Sequence, residues 1–182
     1  HTAQGSYEHK MGIVPGGKMA ILAGVGPMGL GAIDYALHGP IKPSLLVVTD
    51  ISQDRLDRAA SIFTAEDAAN NGVRLIYKNT SEGDPVAQLM ELSSGTGYDD
   101  VYVYAPVKAV VEQGDRILGN NGCLNFFAGP TNTQFRAEFN FYNVHYAGTH
   151  IVGTSGGNTA DMIESLDMMS KGLLNPAVMV TH

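Results

Sequence analysis

The stretch Met19-Ala-Ile-Leu-Ala-Gly-Val-Gly-Pro-Met-Gly29 decides the fold of this 182-residue chain. It is a short apolar run that breaks into the pattern Gly24-x-Gly26-x-x-Gly29 and then into a helical pattern. A second apolar run, Leu45-Leu-Val-Val-Thr-Asp50, ends on an acid 21 residues after Gly29. The order of strand, glycine turn, helix, strand and acid predicts a βαβ unit that binds a dinucleotide.

Each position of this unit has a physical role. Gly24 lets the chain turn sharply out of the strand, Gly26 lets the backbone approach a pyrophosphate, and Gly29 lets the helix pack close to the strand. The free N–H groups and the dipole at the helix start then face an anion. Asp50 is placed to accept hydrogen bonds from both hydroxyls of an adenosine ribose, and its charge repels a 2′-phosphate. NAD is therefore preferred over NADP, although Arg55 is near enough to meet a phosphate and fits an exposed helix face equally well.

The composition excludes several classes of protein. Hydrophobic content of 44% and charged content of 16% are ordinary for a globular α/β domain, and the length predicts one domain. The net charge is −7, from 18 acids and 11 bases without a basic cluster, so nucleic acid and anionic membranes are poor partners. A single cysteine, Cys123, excludes an internal disulfide framework, and neither a signal peptide nor an 18-residue apolar run is present. These features favour the cytoplasm.

Apolar runs alternate with helical patterns along the chain, which is typical of a parallel sheet covered on both faces. Six strands follow, and the sequence predicts a doubly wound Rossmann α/β fold with helices on both faces and the strand order 3-2-1-4-5-6. The strands are expected near residues 19–24, 45–49, 74–78, 101–105, 123–128 and 149–153.

Three further expectations concern helices and the last residues. One helix is predicted over residues 53–70. Another is predicted over residues 159–171, with an apolar face that packs into the core and consists of Met162, Ile163, Leu166 and Met169. The run Ala177-Val-Met-Val-Thr-His182 is strand-like. Because strands rarely end a protein, we expect the chain to be a piece of a longer polypeptide.

Ligands of such sheets bind at the carboxyl ends of the strands. Ala105, Pro106 and Val107 follow strand four and are expected along the adenosine or the nicotinamide ribose. Phe127, Ala128 and Gly129 follow strand five and form an apolar corner suited to the nicotinamide ring. Thr154 and Ser155 follow strand six in a loop that offers hydroxyls and equally fits a simple helix entry. The histidines lack metal-ligand spacing, and no Ser-His-Asp arrangement is visible, so no catalytic or metal residue is predicted.

The segment Gly12-Ile-Val-Pro-Gly-Gly17, followed by Met19–Gly24 and Gly26-Pro-Met-Gly29, resembles the medium-chain dehydrogenase/reductase family. The Gly-Pro-Met-Gly variant and Val180-Thr-His182 resemble its zinc-dependent polyol branch, which includes the sorbitol dehydrogenases. The phrase Ile33-Asp-Tyr-Ala-Leu-His-Gly39 is similar to L-sorbose-1-phosphate reductases and related sugar-phosphate dehydrogenases.

This resemblance implies that residues 1–182 are the cofactor domain of a polypeptide about twice as long. It implies hydride transfer between NAD, or NADP, and a polyol or sugar phosphate, with zinc held in a catalytic domain that this chain lacks. It also implies a homo-oligomer that pairs sixth strands, residues 149–153, edge to edge. By the same resemblance the pyrophosphate is met by Gly24, Gly26, Pro27, Met28 and Gly29. Asp50 meets the ribose, and the nicotinamide half is flanked by 105–107, 127–129, Thr154 and Ser155.

Two other functions remain open from the sequence. An S-adenosylmethionine-dependent methyltransferase also uses a glycine-rich first turn and an acid after strand two, but its last strand is usually antiparallel. A non-catalytic sensor would bind the same dinucleotide in order to control a partner, and would be a whole native chain.

Overall fold

The computed structural model describes residues 12–153 and 155–180. The six strands are β1 Lys18–Leu22, β2 Leu45–Asp50, β3 Arg74–Asn79, β4 Tyr98–Val103, β5 Leu118–Phe126 and β6 His150–Gly153. The helices are α1 Pro27–His38, α2 Gln53–Ile62, α3 Ala65–Asn70, α4 Pro85–Leu92, α5 Lys108–Arg116, α6 Phe141–Tyr146 and α7 Thr159–Ser170, and a 3-10 helix spans Pro176–Met179.

The strands form one sheet in the order β3-β2-β1-β4-β5-β6, and each neighbouring pair is parallel. The predicted Rossmann topology is therefore confirmed. The register aligns Leu22 of β1 with Thr49 on one side and Val103 on the other, and aligns Val103 with Phe126. Because the strands are parallel and in step, the segments that follow β1, β2, β4 and β5 leave the sheet at one edge.

Apolar residues fill both faces of the sheet, as expected for parallel strands. On one face α1, α2 and α3 pack over β1–β3, and Ile21 and Val48 are fully buried there. On the other face α4 and α5 pack over the centre, where Leu22 and Val101 are fully buried. The alternation of side chains along each strand sends neighbouring residues to opposite cores.

The expectation of one helix over residues 53–70 is wrong. The helix breaks at Phe63 and Thr64, both of which adopt extended backbone. Phe63 is buried, and the Thr64 hydroxyl accepts a hydrogen bond from the Asp67 N–H, which starts α3 as a separate helix. A cap and a buried aromatic residue thus override a continuous helical period.

Strand β5 begins at Leu118, five residues before the predicted start at Cys123. The Asn121-Gly122 pair, which reads as a turn, lies inside the strand with Asn121 in the left-handed region at φ 59°. The Asn121 N–H donates to the Ala147 carbonyl, so the irregular strand start is tied to the end of α6.

Two expectations for the last third of the chain are also wrong. Residues 177–179 of the strand-like run belong to a 3-10 helix, which Pro176 starts and the Asn175 side chain caps. Thr181 and His182 lie outside the described residues. The apolar face predicted for α7 does not enter the core. Its four members are exposed by 37–64%: Met162, Ile163, Leu166 and Met169.

Candidate functional site

The glycine turn follows β1 directly and is held to β2. Ala23 adopts the left-handed region at φ 52°, where a residue with a Cβ atom is strained. The Gly24 N–H then donates to the Thr49 carbonyl at 3.2 Å. A Cβ atom on Gly29 would lie 1.9 Å from the Gly24 carbonyl oxygen, so only glycine permits this close approach of helix and turn. The structure accounts for the first and third glycines as close-packing positions.

Gly26 has the opposite environment. A Cβ atom built on it would meet no atom within 4 Å, so the backbone there faces open space. Gly26 is the N-cap residue of α1, and Pro27 takes the first helical position, where its missing N–H costs nothing. This is the local geometry that lets a ligand contact the main chain of the turn.

The start of α1 has no side-chain cap and no acidic residue in its first turn. Helices leave their first N–H groups without an intrahelical partner, and the helix dipole makes that end electropositive. Among the described helices, α2, α3, α4, α6, α7 and the 3-10 helix each have a capping side chain. Only α5, at Val107, shares the uncapped start of α1.

The two uncapped helices flank the point where the strand order reverses. Helix α1 follows β1, α5 follows β4, and these two strands are neighbours at the centre of the sheet. Crevices at such a reversal are where open α/β sheets bind ligands. The unmet polar groups of the backbone therefore lie where the topology places a ligand site.

Asp50 ends β2, next to the glycine turn. Asp50 is buried, with 7% of its surface exposed. Its carboxylate Oδ1 accepts a hydrogen bond from the Ser52 N–H at 2.9 Å. That bond fixes the carboxylate at the strand end. Arg55 lies in the first turn of α2 and is exposed. This position is compatible with contact to a phosphate and with a simple place on the exposed helix face.

The predicted segment after β5 is hydrogen-bonded to the end of β4. The Phe127 and Ala128 N–H groups both donate to the Val103 carbonyl, at 3.2 and 3.1 Å. The N–H of Val107 donates to the Ala105 carbonyl at 2.8 Å and forms the tight entry to α5. Pro106 lies inside that turn, Gly129 has open space around it, and Ala128 is buried.

The segment after β6 is only partly described. Gly153 pairs with Phe126, and Ser155 is exposed two residues beyond the strand. Thr154 lies outside the described residues.

Sequence reasoning missed two residues at this edge. Ile51 directly follows Asp50 and is 73% exposed, which is unusual for an isoleucine beside a buried carboxylate. Tyr104 directly follows β4, its N–H donates to the Leu22 carbonyl, and its ring lies 5.2 Å from that of Phe127. Burial raises the pKa of Tyr104 to about 12, so the phenol is neutral at physiological pH. Each directly follows the last residue of an observed strand, Asp50 of β2 or Val103 of β4.

Exposed apolar side chains surround the glycine turn. Met28, in the first turn of α1, is 59% exposed. Val107 is 49% exposed at the start of α5. Together with Ile51 they give the edge an apolar rim around polar backbone groups, the usual composition of a site for a mixed polar and aromatic ligand.

The described residues contain no group of three His, Cys, Asp or Glu side chains that would hold a metal ion. Burial raises the pKa of the Cys123 thiol to about 11, so this cysteine is not a thiolate ligand or nucleophile. In the same residues, no helix is both long and apolar enough to cross a membrane.

Comparison with known proteins agrees with this geometry. The model of the family described as zinc-binding dehydrogenase matches residues 27–171. Mannitol-1-phosphate 5-dehydrogenase of Aliivibrio fischeri is 59% identical over 100% of this chain, and L-sorbose 1-phosphate reductase of Klebsiella pneumoniae is 48% identical over 100% of it. The chain spans 43% of the length of each of these relatives.

A solved structure shows the same fold. An alcohol dehydrogenase zinc-binding domain protein from Burkholderia ambifaria superposes with a TM-score of 0.71 and 23% identity, covering 90% of this chain and 41% of that one. The match of the family model over most of the chain, together with the close curated relatives, settles the family. The chain belongs to the zinc-binding dehydrogenases.

Proposed function

We propose that this chain is the dinucleotide-binding domain of an oxidoreductase, and that NAD is its cofactor. The observation that supports this most directly is the uncapped start of α1 behind the open backbone of Gly26, next to the buried carboxylate of Asp50. The first binds a pyrophosphate through N–H groups and the second accepts hydrogen bonds from ribose hydroxyls. A 2′-phosphate is disfavoured because it would lie against a carboxylate.

The residues divide the cofactor into two halves. The pyrophosphate lies against the Gly24–Gly29 turn, including Pro27 and Met28, and Ile51 offers apolar surface to the adenine. The nicotinamide half lies along 105–107 and 127–129, with Thr154 and Ser155 beside it. The Tyr104 ring lies 5.2 Å from that of Phe127, in the second of these segments. When bound, the cofactor accepts or returns a hydride at nicotinamide, and these residues bind it, orient it and keep water from one ring face.

The substrate class proposed for the intact enzyme is a polyol or sugar phosphate, in line with the names of the two curated relatives. We assign no catalytic group and no zinc ligand to this chain. In the proposal, zinc and the substrate pocket belong to the rest of a longer polypeptide, since this chain spans 43% of those relatives. The chain alone is expected to bind cofactor and to catalyse nothing.

Two further features complete the proposal. Strand β6 lies at the edge of the sheet, and its Ile151 is 36% exposed, so this edge suits pairing with a second copy. A location in the cytoplasm is proposed because the sequence has a single cysteine, which excludes an internal disulfide framework.

Thermal unfolding with saturating ligands tests the proposal. NAD at about 100 times its Kd should stabilise the chain by ~2.7 kcal/mol, with a smaller effect from NADP at the same concentration. Stabilisation by S-adenosylmethionine alone would contradict the proposal, as would the absence of any shift in both the 182-residue chain and a longer polypeptide. The parallel pairing of β5 and β6 already disfavours a methyltransferase, whose last strand is usually antiparallel.

The sensor alternative makes the same cofactor prediction. It differs in requiring that the natural gene product have the mass of this chain, 19.3 kDa. A natural product of about twice that mass, with dehydrogenase activity toward a sugar phosphate, would exclude it.

A further inference from the structure

A cavity of about 410 Å³ lies between the edge strand β3 and helix α4. This volume is within the range of sites for small molecules. We call the cavity the β3–α4 groove. Its lining residues are Arg74, Lys78, Gln88, Glu91, Leu92 and Ser94.

The β3–α4 groove is separate from the proposed cofactor site. The groove lies on a face of the sheet, whereas the glycine turn and the residues after β2, β4 and β5 lie at the carboxyl edge. Arg74 is the first residue of β3, and Ser94 follows the C-cap of α4, so one end of the groove is at the amino end of the strand. Strand β2 separates β3 from β1 and the glycine turn. A ligand in the groove therefore need not displace a dinucleotide.

Two cations line the groove. Arg74 and Lys78 are four residues apart on β3, so the alternation of side chains along a strand places them on the same face. Within the described residues, neither side chain has a hydrogen bond or an ion pair, although the chain has 18 acids for 11 bases. Among the lysines and arginines that the structure describes, only Arg55 and Arg116 share this lack of a partner. Unpaired cations in one cavity favour an anionic ligand.

Acceptor groups lie beside these cations. The Gln88 Nε2 group donates to the Glu82 carbonyl at 2.9 Å, while Gln88 Oε1 is buried and has no hydrogen-bond partner in the described part of the chain. Buried acceptors in proteins usually have a donor. Glu91 lines the same groove without an ion pair to Arg74 or Lys78. The groove thus combines positive charge with acceptors for hydroxyl groups.

Ser94 adds a hydroxyl group at the end of α4. Its backbone is in the left-handed region at φ 60°, where the Ser94 N–H donates to the Glu91 carbonyl and the Gly95 N–H donates to the Met90 carbonyl. Helix ends of this kind favour glycine at the left-handed position. Serine is strained there, but it provides the groove with a hydroxyl that glycine would lack.

We propose that the β3–α4 groove binds a phosphomonoester that carries hydroxyl groups. The planar guanidinium of Arg74 binds the phosphate through two N–H groups, and Lys78 adds a second positive charge. Gln88 Oε1 and the Glu91 carboxylate accept hydrogen bonds from the hydroxyl groups. Because Glu91 repels a second anion, one phosphate with a hydroxylated tail fits the groove better than a bisphosphate.

Calorimetric titration of the 182-residue chain with glycerol 3-phosphate tests the proposal. Saturating NAD keeps the start of α1 occupied, and the same titration without NAD shows whether the result depends on the cofactor. The double variant Arg74→Gln, Lys78→Gln should raise the Kd about tenfold or more, because charge-assisted contacts are lost. The matched control Arg116→Gln removes another unpartnered arginine, at the end of α5, and should change the Kd about twofold or less. Melting curves of the variants identify any loss of fold.

A second variant tests the contacts to the hydroxyl groups. Gln88→Met should weaken binding of glycerol 3-phosphate about fivefold and leave binding of methyl phosphate, which has no hydroxylated tail, unchanged. An unchanged Kd in the double variant would overturn the proposal, as would equal weakening by Arg116→Gln or the absence of binding by the wild-type chain. Equal wild-type affinities for methyl phosphate and glycerol 3-phosphate would overturn the role of the acceptors. Since the variants are compared with and without NAD, failure of cofactor binding would be seen separately.

Discussion

Helices α1 and α7 both have twelve residues but differ in capping and in burial. Helix α1 buries Leu30, Ile33 and Leu37 completely or nearly so, but its first N–H groups have no capping side chain. Helix α7 has a capping box at its start, but its apolar residues are exposed. We propose that the start of α1 binds an anionic group, since the N–H groups at a helix start favour negative charge.

The largest expected effect contrasts one leucine from each helix. Leu30→Ala should lower the free energy of unfolding by about 3 kcal/mol, because Leu30 is 1% exposed and its removal leaves a cavity. Leu166→Ala should change it by about 0.5 kcal/mol or less, because Leu166 is 63% exposed. Urea unfolding of the 182-residue chain measures both. Equal losses at the two positions would break the comparison.

Alanine substitutions at two glycines of the turn, Gly26 and Gly29, should have different effects on stability and on ligand binding. Gly29→Ala should destabilise the chain by about 2 kcal/mol, because the new methyl group meets the Gly24 carbonyl and the helix must shift. Gly26→Ala should cost about 1 kcal/mol or less, because open space receives the methyl group, yet it should weaken NAD binding about tenfold or more by obstructing the ligand. Urea unfolding and calorimetric titration with NAD separate the two effects. Strong NAD binding by Gly26→Ala would contradict the placement of the pyrophosphate.

A buried acid on β4, Asp100, gives the domain a pH dependence. The Asp100 carboxylate accepts a hydrogen bond from the Val14 N–H, and burial, outweighing that bond, raises its pKa to about 6. The raised pKa means that the folded state favours the protonated acid. Its stabilising contribution is complete below the unfolded value near 4 and is lost as the pH rises through about 6.

Unfolding free energies between pH 4 and pH 7 measure this contribution, which is about 2 kcal/mol. Asp100→Asn keeps an oxygen acceptor for Val14 and should remove that part of the pH slope. The control Asp54→Asn changes an exposed carboxylate and should retain it. A variant at Asp100 with the full wild-type slope would show that another group is responsible.

The smallest effect concerns cofactor choice. Asp50→Asn should weaken NAD binding about tenfold, ~1.4 kcal/mol, because the ribose loses a charged acceptor. The variant should also have a smaller preference for NAD over NADP. Calorimetric titration with each cofactor provides the ratio of the two dissociation constants. Because Asp50 Oδ1 also accepts from Ser52, a melting curve accompanies the titration and identifies any loss of fold. An unchanged ratio of the two dissociation constants would show that Asp50 does not bind the ribose.

Local chemistry explains why the first half of the fold was predictable. Spacing places Gly24 and Gly29 where only glycine fits, and the apolar runs around them allow few strand positions. The segments after β4 and β5 are predicted from strand order alone, and the structure bonds the second of them to the Val103 carbonyl at the end of β4. Their contact with a nicotinamide remains a prediction.

The errors share a physical cause. Helix α2 ends early because a threonine cap and a buried phenylalanine compete with helical periodicity between residues 62 and 65. Helix α7 was assigned to the core because a helical stripe shows that one face is apolar and does not show where that face points. The positions of Ile51 and Tyr104 in the site depend on contacts between distant segments, and periodicity contains no such information.

The sequence by itself determined the elements, their order and the glycine turn, because strand alternation, glycine geometry and helix capping act between residues a few positions apart. Only the tertiary structure decided which helix starts remain uncapped at the reversal of strand order, and that α7 turns its apolar stripe outward. Those features depend on where separate elements meet, and packing a chain into a sheet sets them after local conformation has been chosen.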